Sequence, residues 1–219
     1  MDVISTIKTR RSIRAYLPRP VPREIIRDIM SAAERTPSAV NTQPWEITIV
    51  TGKILDEIRQ DNVAYFTNGI PIASSSTPYE GVYKRRRIEL AMDLFELIGI
   101  QREDQEKRIE WQKQGFRFFD APVAIIISAD KSLRYTLAMF DIGCMAQTIC
   151  LAAMQFGLGT CIGKQGVSYP DVIRKYTGIG EDKDIIIGIA VGYPDPDFPA
   201  NKLISRRESA STYITWLGF

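Results

Sequence analysis

Residues 137–158 are the most apolar long stretch of this chain, and they constrain what can be built around them more than any other segment. Asp141, Gln147 and Gln155 interrupt the run, so the pattern predicts a buried helix over about 135–156 of a soluble fold, not a membrane span. Gly157-Leu158-Gly159 is a suitable stop for it. Burial on nearly all sides often places such a helix at a subunit interface. With 219 residues and 45% hydrophobic content, the chain can bury this core as one domain, 1–219, without disulfide or metal staples.

Around that helix the periodicities alternate. Helical spacing is expected over 2–9, 22–35, 82–98 and 101–119, and again from Tyr169 to about Tyr176, with Pro22 suited to a first helical position. Strand patterns fall at 45–51, 123–128, 160–163 and 185–193. A break is expected after the first strand. Residues 61–81, with Gly69, Pro71, Ser74 to Ser76, Pro78 and Gly81, read as a long connection forming a lid or pocket wall. Residues 61–120 are therefore expected to be a helical insertion between two core strands, and 198–219 a C-terminal arm. Too few strict βαβ units occur for a doubly wound sheet, which points to a three-layer α+β fold.

Composition removes several functions. The 28 basic and 26 acidic residues leave a net charge of +2, which gives no electrostatic case for nucleic acid or a membrane as partner. Cys144, Cys150 and Cys161 show no C-x-x-C spacing and sit among apolar residues, as buried reduced thiols do. The first residues lack the basic and apolar regions of a signal peptide, so a cytoplasmic location is expected. Histidine is absent, which excludes Ser-His and Cys-His nucleophile systems and H-E-x-x-H zinc sites. If the protein is an enzyme, a bound organic cofactor is the expected carrier of its chemistry.

Four segments carry functional groups. Pro37-Ser38-Ala39-Val40-Asn41-Thr42-Gln43-Pro44-Trp45 joins a helix to a strand, and Ser38, Asn41 and Gln43 offer it several donors and acceptors. Arg10-Arg11-Ser12-Ile13-Arg14 places three guanidinium groups and a hydroxyl together, a set that matches a phosphate. A solvated turn is the commoner meaning of such a run, but Arg206-Arg207 supplies a second basic pair in a tail that can return to it. Residues 157–166 hold four glycines and fit neither phosphate-loop nor dinucleotide fingerprints; they suit a flat ring approaching the backbone. Tyr83-Lys84-Arg85-Arg86-Arg87 reads as a solvated helix face, with a nicotinamide cofactor's phosphate as the competing reading.

Taken with Gly188-Ile189-Ala190-Val191-Gly192-Tyr193-Pro194-Asp195, these motifs resemble, in order and over nearly the whole chain, the flavin-dependent nitroreductase family. Phe116-Arg117-Phe118-Phe119-Asp120-Ala121-Pro122 is most similar to the branch that reduces nitroaromatic compounds. The resemblance implies a mainly antiparallel central sheet in an α-β-α fold, FMN as cofactor, NADH or NADPH as electron donor, and an intertwined homodimer with the C-terminal arm wrapped around the partner. It implies that Arg10, Ser12 and Arg14 reach the phosphate, the ribityl chain and the N1/O2 side of the ring. Arg11, Asn41, Gln43 and Arg206 are further cofactor-binding candidates, and Arg207 matches a phosphate ligand. Pro37, Ser38 and Ala39 match a segment supplied by the opposite subunit. Ile162, Gly163, Lys164, Gln165 and Gly166 match the segment lying against the N5 side. Related reactions of the same fold remain open: reductive dehalogenation, and quinone or activated-alkene reduction. Non-enzymatic flavin storage is the alternative from another class.

Overall fold

Every residue from Val123 to Ala129 is buried, so this strand must be covered on both faces, and the layers follow from that requirement. The computed structural model describes residues 2–72, 78–133 and 135–219. Strands β1 (Glu46–Thr51), β2 (Val123–Asp130), β3 (Gly159–Gly163) and β4 (Lys183–Gly192) form a sheet in the order β1-β2-β4-β3, with every neighbouring pair antiparallel.

Helices α1 (Val3–Thr9), α2 (Arg23–Ala33), α3 (Gly52–Thr67), α4 (Gly81–Leu97), α5 (Gln105–Phe116), α6 (Tyr135–Met154) and α7 (Pro170–Thr177) surround it. One face, with Val123, Ile125 and Ile127, packs on Ile26 and Ile29 of α2 and on Ile142, Met145 and Ile149 of α6. The other, with Ala124 and Ile126, packs on Leu55 and Ile58 of α3, Phe116 of α5, and Val172 and Ile173 of α7. This is the three-layer α-β-α arrangement with an antiparallel sheet that the sequence leads one to expect. Between β2 and β4 the register passes from Ile127 opposite Ile187 to Ser128 opposite Ile185, so Ile186 is an extra residue on β4. One inserted residue inverts the faces of a strand, which is why Ile189 and Val191 lie on the α2/α6 side while Ile185 lies on the other.

Three local expectations are corrected. The break expected after the first strand is α3, entered through Gly52 at φ 56°. Its buried stripe is Leu55, Ile58 and Asn62, and the polar third member hides the helical period. Residues 61–67 thus belong to the core layer, and the helical insertion contains α4 and α5. Ser74 to Ser76 of the expected connection lie outside the described residues. Pro22 is the N-cap of α2, with Arg23 first in the helix. Finally, α6 is not buried all round. Its core side fits between α2 and the sheet, although its length and hydropathy alone would suit a membrane span; Leu137 and Phe140 on the other side are 47% and 70% exposed.

At one end of the sheet Lys183 Nζ lies 2.6 Å from Glu46, 3.0 Å from Asp130 and 3.5 Å from Asp182. The Ser132 hydroxyl and backbone N–H donate to Asp130 Oδ1 at 2.6 and 2.8 Å. These bonds from Ser132, with Lys183 beside them, hold the Asp130 carboxyl well below its ordinary 3.8. A carboxyl depressed by folding contributes its full stabilisation above the unfolded value and loses it as pH falls towards the folded one. Asp130→Asn should therefore lower the melting temperature at neutral pH, with the gap to wild type closing below about pH 4. A gap of constant size through acid titration would show that the carboxylate's charge does not stabilise this corner.

Candidate active site

Past α1 the chain runs extended along the free edge of β3. Ser12 forms a parallel bridge with Thr160, and the Ile13 N–H donates to the Thr160 carbonyl at 2.9 Å. The approach is close because Gly159 carries no side chain: a Cβ there would come within 2.5 Å of Ile13 and 2.8 Å of Pro194. Ile13 is buried and anchors the segment. Asn201, 3% exposed, locks it. Its Oδ1 accepts from the Arg14 N–H at 2.7 Å, and its Nδ2 donates to the carbonyls of Ala15 and Asp195 at 2.8 and 2.9 Å. Since Asn201 lies in the turn Pro199–Lys202 at the start of the C-terminal arm, it brings the arm back to residues 10–14. Sequence reasoning missed Asn201, whose only signal is a lone amide in a tail otherwise read as an arm.

The arm, residues 10–14 and α4 enclose an open cavity of about 940 Å³. Arg10, Arg11, Ser12 and Arg14 line it together with Arg206 and Arg207, so the two basic motifs meet. Arg206 Nη2 donates to Asp93 of α4 at 2.7 Å, and Arg86 of α4 pairs with Glu208 of the arm at 3.1 Å. Arg207 Nη1 is turned onto Ser205, donating to its hydroxyl at 2.7 Å. Six arginines face three carboxylates, Glu89, Asp93 and Glu208, and the excess positive charge suits an anion. Of residues 83–87, Arg86 lines this cavity.

The Arg14 guanidinium lies near the Cys161 thiol, two residues before β3 ends at Gly163 and the chain turns through Gln165–Val167. A Cβ on Gly163 would meet no atom within 4 Å, so the space above it is open. The backbone N–H groups of Gln165 and Gly166, first in the turn, meet no acceptor among the described residues. Below, the turn is closed, since a Cβ on Gly166 would lie 2.5 Å from the Phe118 ring. Lys164 reaches away from the open face: its Nζ donates to the carbonyls of Ile185 and Ile186 at 2.8 and 3.1 Å. An open glycine face edged by free donors, next to a cavity rich in arginine, fits a flat ring carrying an anionic tail. Burial pushes the Cys161 thiol up even with Arg14 and Ser12 near it, so it is no nucleophile.

Pro37, Ser38, Ala39, Asn41 and Gln43 are not brought to this cavity within the chain. Their loop is tied to α6, where Asp141 accepts from the Ala39 N–H at 3.1 Å, and to itself, where Ser38 Oγ accepts from the Gln43 N–H at 2.9 Å. Val40, Asn41 and Gln43 have φ of 45°, 61° and 47°, and Val40 is 96% exposed. A β-branched residue held in that region is strained, and strain of this kind gathers at binding sites and interfaces.

The chain belongs to the nitroreductase family, whose model matches residues 7–193. It is 33% identical to the nitrobenzene nitroreductase of Ectopseudomonas oleovorans over 96% of this chain and 95% of that protein. Among solved structures it is similar to the FMN and NADPH-dependent nitroreductase NfnB from sphigopyxis sp. strain HMH, with a TM-score of 0.95, 28% identity and full coverage of both chains. It is also similar to the FMN-dependent nitroreductase NfnB from Mycobacterium smegmatis in complex with NADPH, with a TM-score of 0.92 and 26% identity over 99% of this chain and 100% of that one.

Asn201 offers a direct test of how the site is held. Asn201→Ala leaves the Arg14 N–H and two carbonyls without their partner and should cost on the order of 2–3 kcal/mol in denaturant unfolding. Asn201→Asp should cost more, since it turns an acceptor towards the Ala15 and Asp195 carbonyls. Stability equal to wild type in both variants would mean that residues 10–15 are held by other contacts.

Proposed function

We propose that the protein is an FMN-dependent oxidoreductase that uses NADH or NADPH to reduce nitroaromatic compounds, acting as a homodimer in the cytoplasm. The observation that carries this reading is the meeting of Arg10, Arg11, Ser12 and Arg14 with Arg206 and Arg207 on one cavity, beside the open glycine face at the end of β3. When bound, FMN supplies hydride acceptance at N5 and the return of two electrons to a nitro group.

The chain's own residues bind and orient. Arg10, Arg11 and Ser12 hold the phosphate with the arm's Arg206 and Arg207, each arginine giving charge-assisted bonds. Arg14, fixed through its backbone by Asn201, would supply positive charge to the bound ring and so favour its reduced, anionic form. Residues 162–166 would bind the flat ring, with the open face at Gly163 receiving it and the free N–H groups of Gln165 and Gly166 available as donors. None of this needs a histidine.

Several apolar groups support a second copy as partner. Val3, Ile4 and Ile7 of α1 and Phe140 of α6 are at least half exposed, as are Ile204, Trp216, Leu217 and Phe219 of the arm. That much uncovered apolar surface calls for an interface. In the dimer, Pro37, Ser38, Ala39, Asn41 and Gln43 complete the partner's pocket, which accounts for a strained loop that does not line the basic cavity of its own chain. The three free cysteines, two of them buried, suit a reducing compartment.

Two experiments test the reading. Reconstitution with FMN should give a yellow protein that NADPH or NADH bleaches and nitrobenzene re-oxidises; a colourless protein would remove both the reductase and the storage reading, and turnover confined to quinones or halophenols would move the substrate class. Arg10→Ala should weaken FMN binding by about one to two decades, and unchanged affinity would displace the phosphate site. For the dimer, Arg14→Ala and Ser38→Trp each inactivate a homodimer. Mixed dimers should regain about half of wild-type activity, because one pocket collects both changes and the other none. Mixed dimers as inactive as their parents would place Arg14 and Ser38 in one chain's pocket.

A further inference from the structure

Asn62 is a fully buried polar residue of α3, 0% exposed. Its Nδ2 donates to the carbonyl of Phe116, the last residue of α5, at 3.1 Å and to the carbonyl of Gly166 at 2.8 Å. Among the described residues its Oδ1 meets no partner. A buried acceptor left unpaired is destabilising, and the amide is held here in spite of it by the two buried carbonyls that its Nδ2 satisfies. What it holds is the end of α5 and the glycine of the turn.

Gly166 ends the open face described above and, having no side chain, has backbone torsions that only its surroundings restrain. From below, Phe118 presses against it. Phe118 stands in a turn where Phe118, Phe119 and Asp120 have φ of 56°, 54° and 54°. Arg59, three residues before Asn62 on α3, spans that turn, with Nε donating to the Arg117 carbonyl at 3.0 Å and Nη2 to the Ala121 carbonyl. Helix α3 thus holds the floor of the turn through Arg59 and its far end through Asn62. We propose that Asn62 is a positioning residue for the flavin: by fixing the Gly166 carbonyl it sets the rotation of this glycine and keeps the N–H groups of Gln165 and Gly166 facing the ring. The proposal deepens the functional reading and rests on its placing of the ring over residues 162–166.

The test uses Asn62→Leu in apo and FMN-loaded protein, with Gly163→Val beside it to report on the ring's place. Asn62→Leu should lower the melting temperature, because the buried carbonyls of Phe116 and Gly166 lose their donor. It should change the ratio of affinities for reduced and oxidised FMN about tenfold, a shift of about 30 mV in a two-electron potential. The kcat for a nitroarene should fall by a similar factor, with KM within about twofold, as when an interaction made only in the transition state is lost. Should the leucine variant fail to fold, Asn62→Ala, which leaves room for a water on the Gly166 carbonyl, should show the same changes reduced in size. Wild-type potential and kcat in whichever variant folds, with only the melting temperature moved, would make Asn62 merely structural and overturn the proposal. If Gly163→Val leaves FMN affinity unchanged, the ring lies elsewhere and the reading and the proposal fail together. If Gly163→Val abolishes binding while the Asn62 variants keep the wild-type potential and kcat, the proposal alone fails.

Discussion

The pairing of Ser12 and Ile13 with Thr160 turns scattered basic residues into one site. Without it, residues 10–14 would be a solvated turn after a short helix, which is what such a run usually is. With it, three guanidinium groups are fixed at the edge of a rigid sheet, and Arg14 comes near Cys161 of β3. The pairing depends on Gly159, because any side chain there would strike Ile13. It also depends on Asn201, whose single amide satisfies one donor and two acceptors from residues far apart in the chain. A glycine and an asparagine, neither of them charged, decide where the charges go.

What the sequence made legible follows the same division. The buried strands at 123–128 and 185–193 and the long helix near 135–156 declare themselves through uniform apolarity, and Gly157 stands past the helix end where a left-handed residue is needed. The basic motifs were readable as anion ligands because Arg206-Arg207 supplies a second basic pair in a tail able to return to residues 10–14. By contrast, α3 was concealed because its buried stripe ends in Asn62, and periodicity counts a polar residue as outward. Asn201 was concealed for a related reason. A buried amide bonded to backbone carbonyls and N–H groups leaves no pattern along the chain, since its partners are defined only by the fold.

Carboxylates within the basic cavity have a definite task. Asp93 fixes Arg206, and Glu208 holds Arg86, so the arm is fastened to α4 by contacts of opposite charge. Such exposed pairs add little stability one by one. Their effect is geometric: they restrict side chains that would otherwise fan out in solvent, while the surplus of arginines over carboxylates supplies the net positive field. Neutralising part of the cavity is the cost of building it from an extended arm and a helix face.

Strain follows the site as closely as charge does. Among the described residues, every non-glycine with positive φ falls in residues 40–43 or 118–120. The second group lies under Gly166, where Arg59 and the packing of Phe118 hold it in place. The first carries an exposed valine, and among the described residues it is held by Asp141 and by its internal bonds. Two strained turns built so differently have different tasks. One is a rigid floor whose unfavourable torsions are offset by burial. The other is an outward projection whose torsions are offset only when something covers it, and the exposed faces of α1, α6 and the arm make a second copy of this chain the surface best suited to do so.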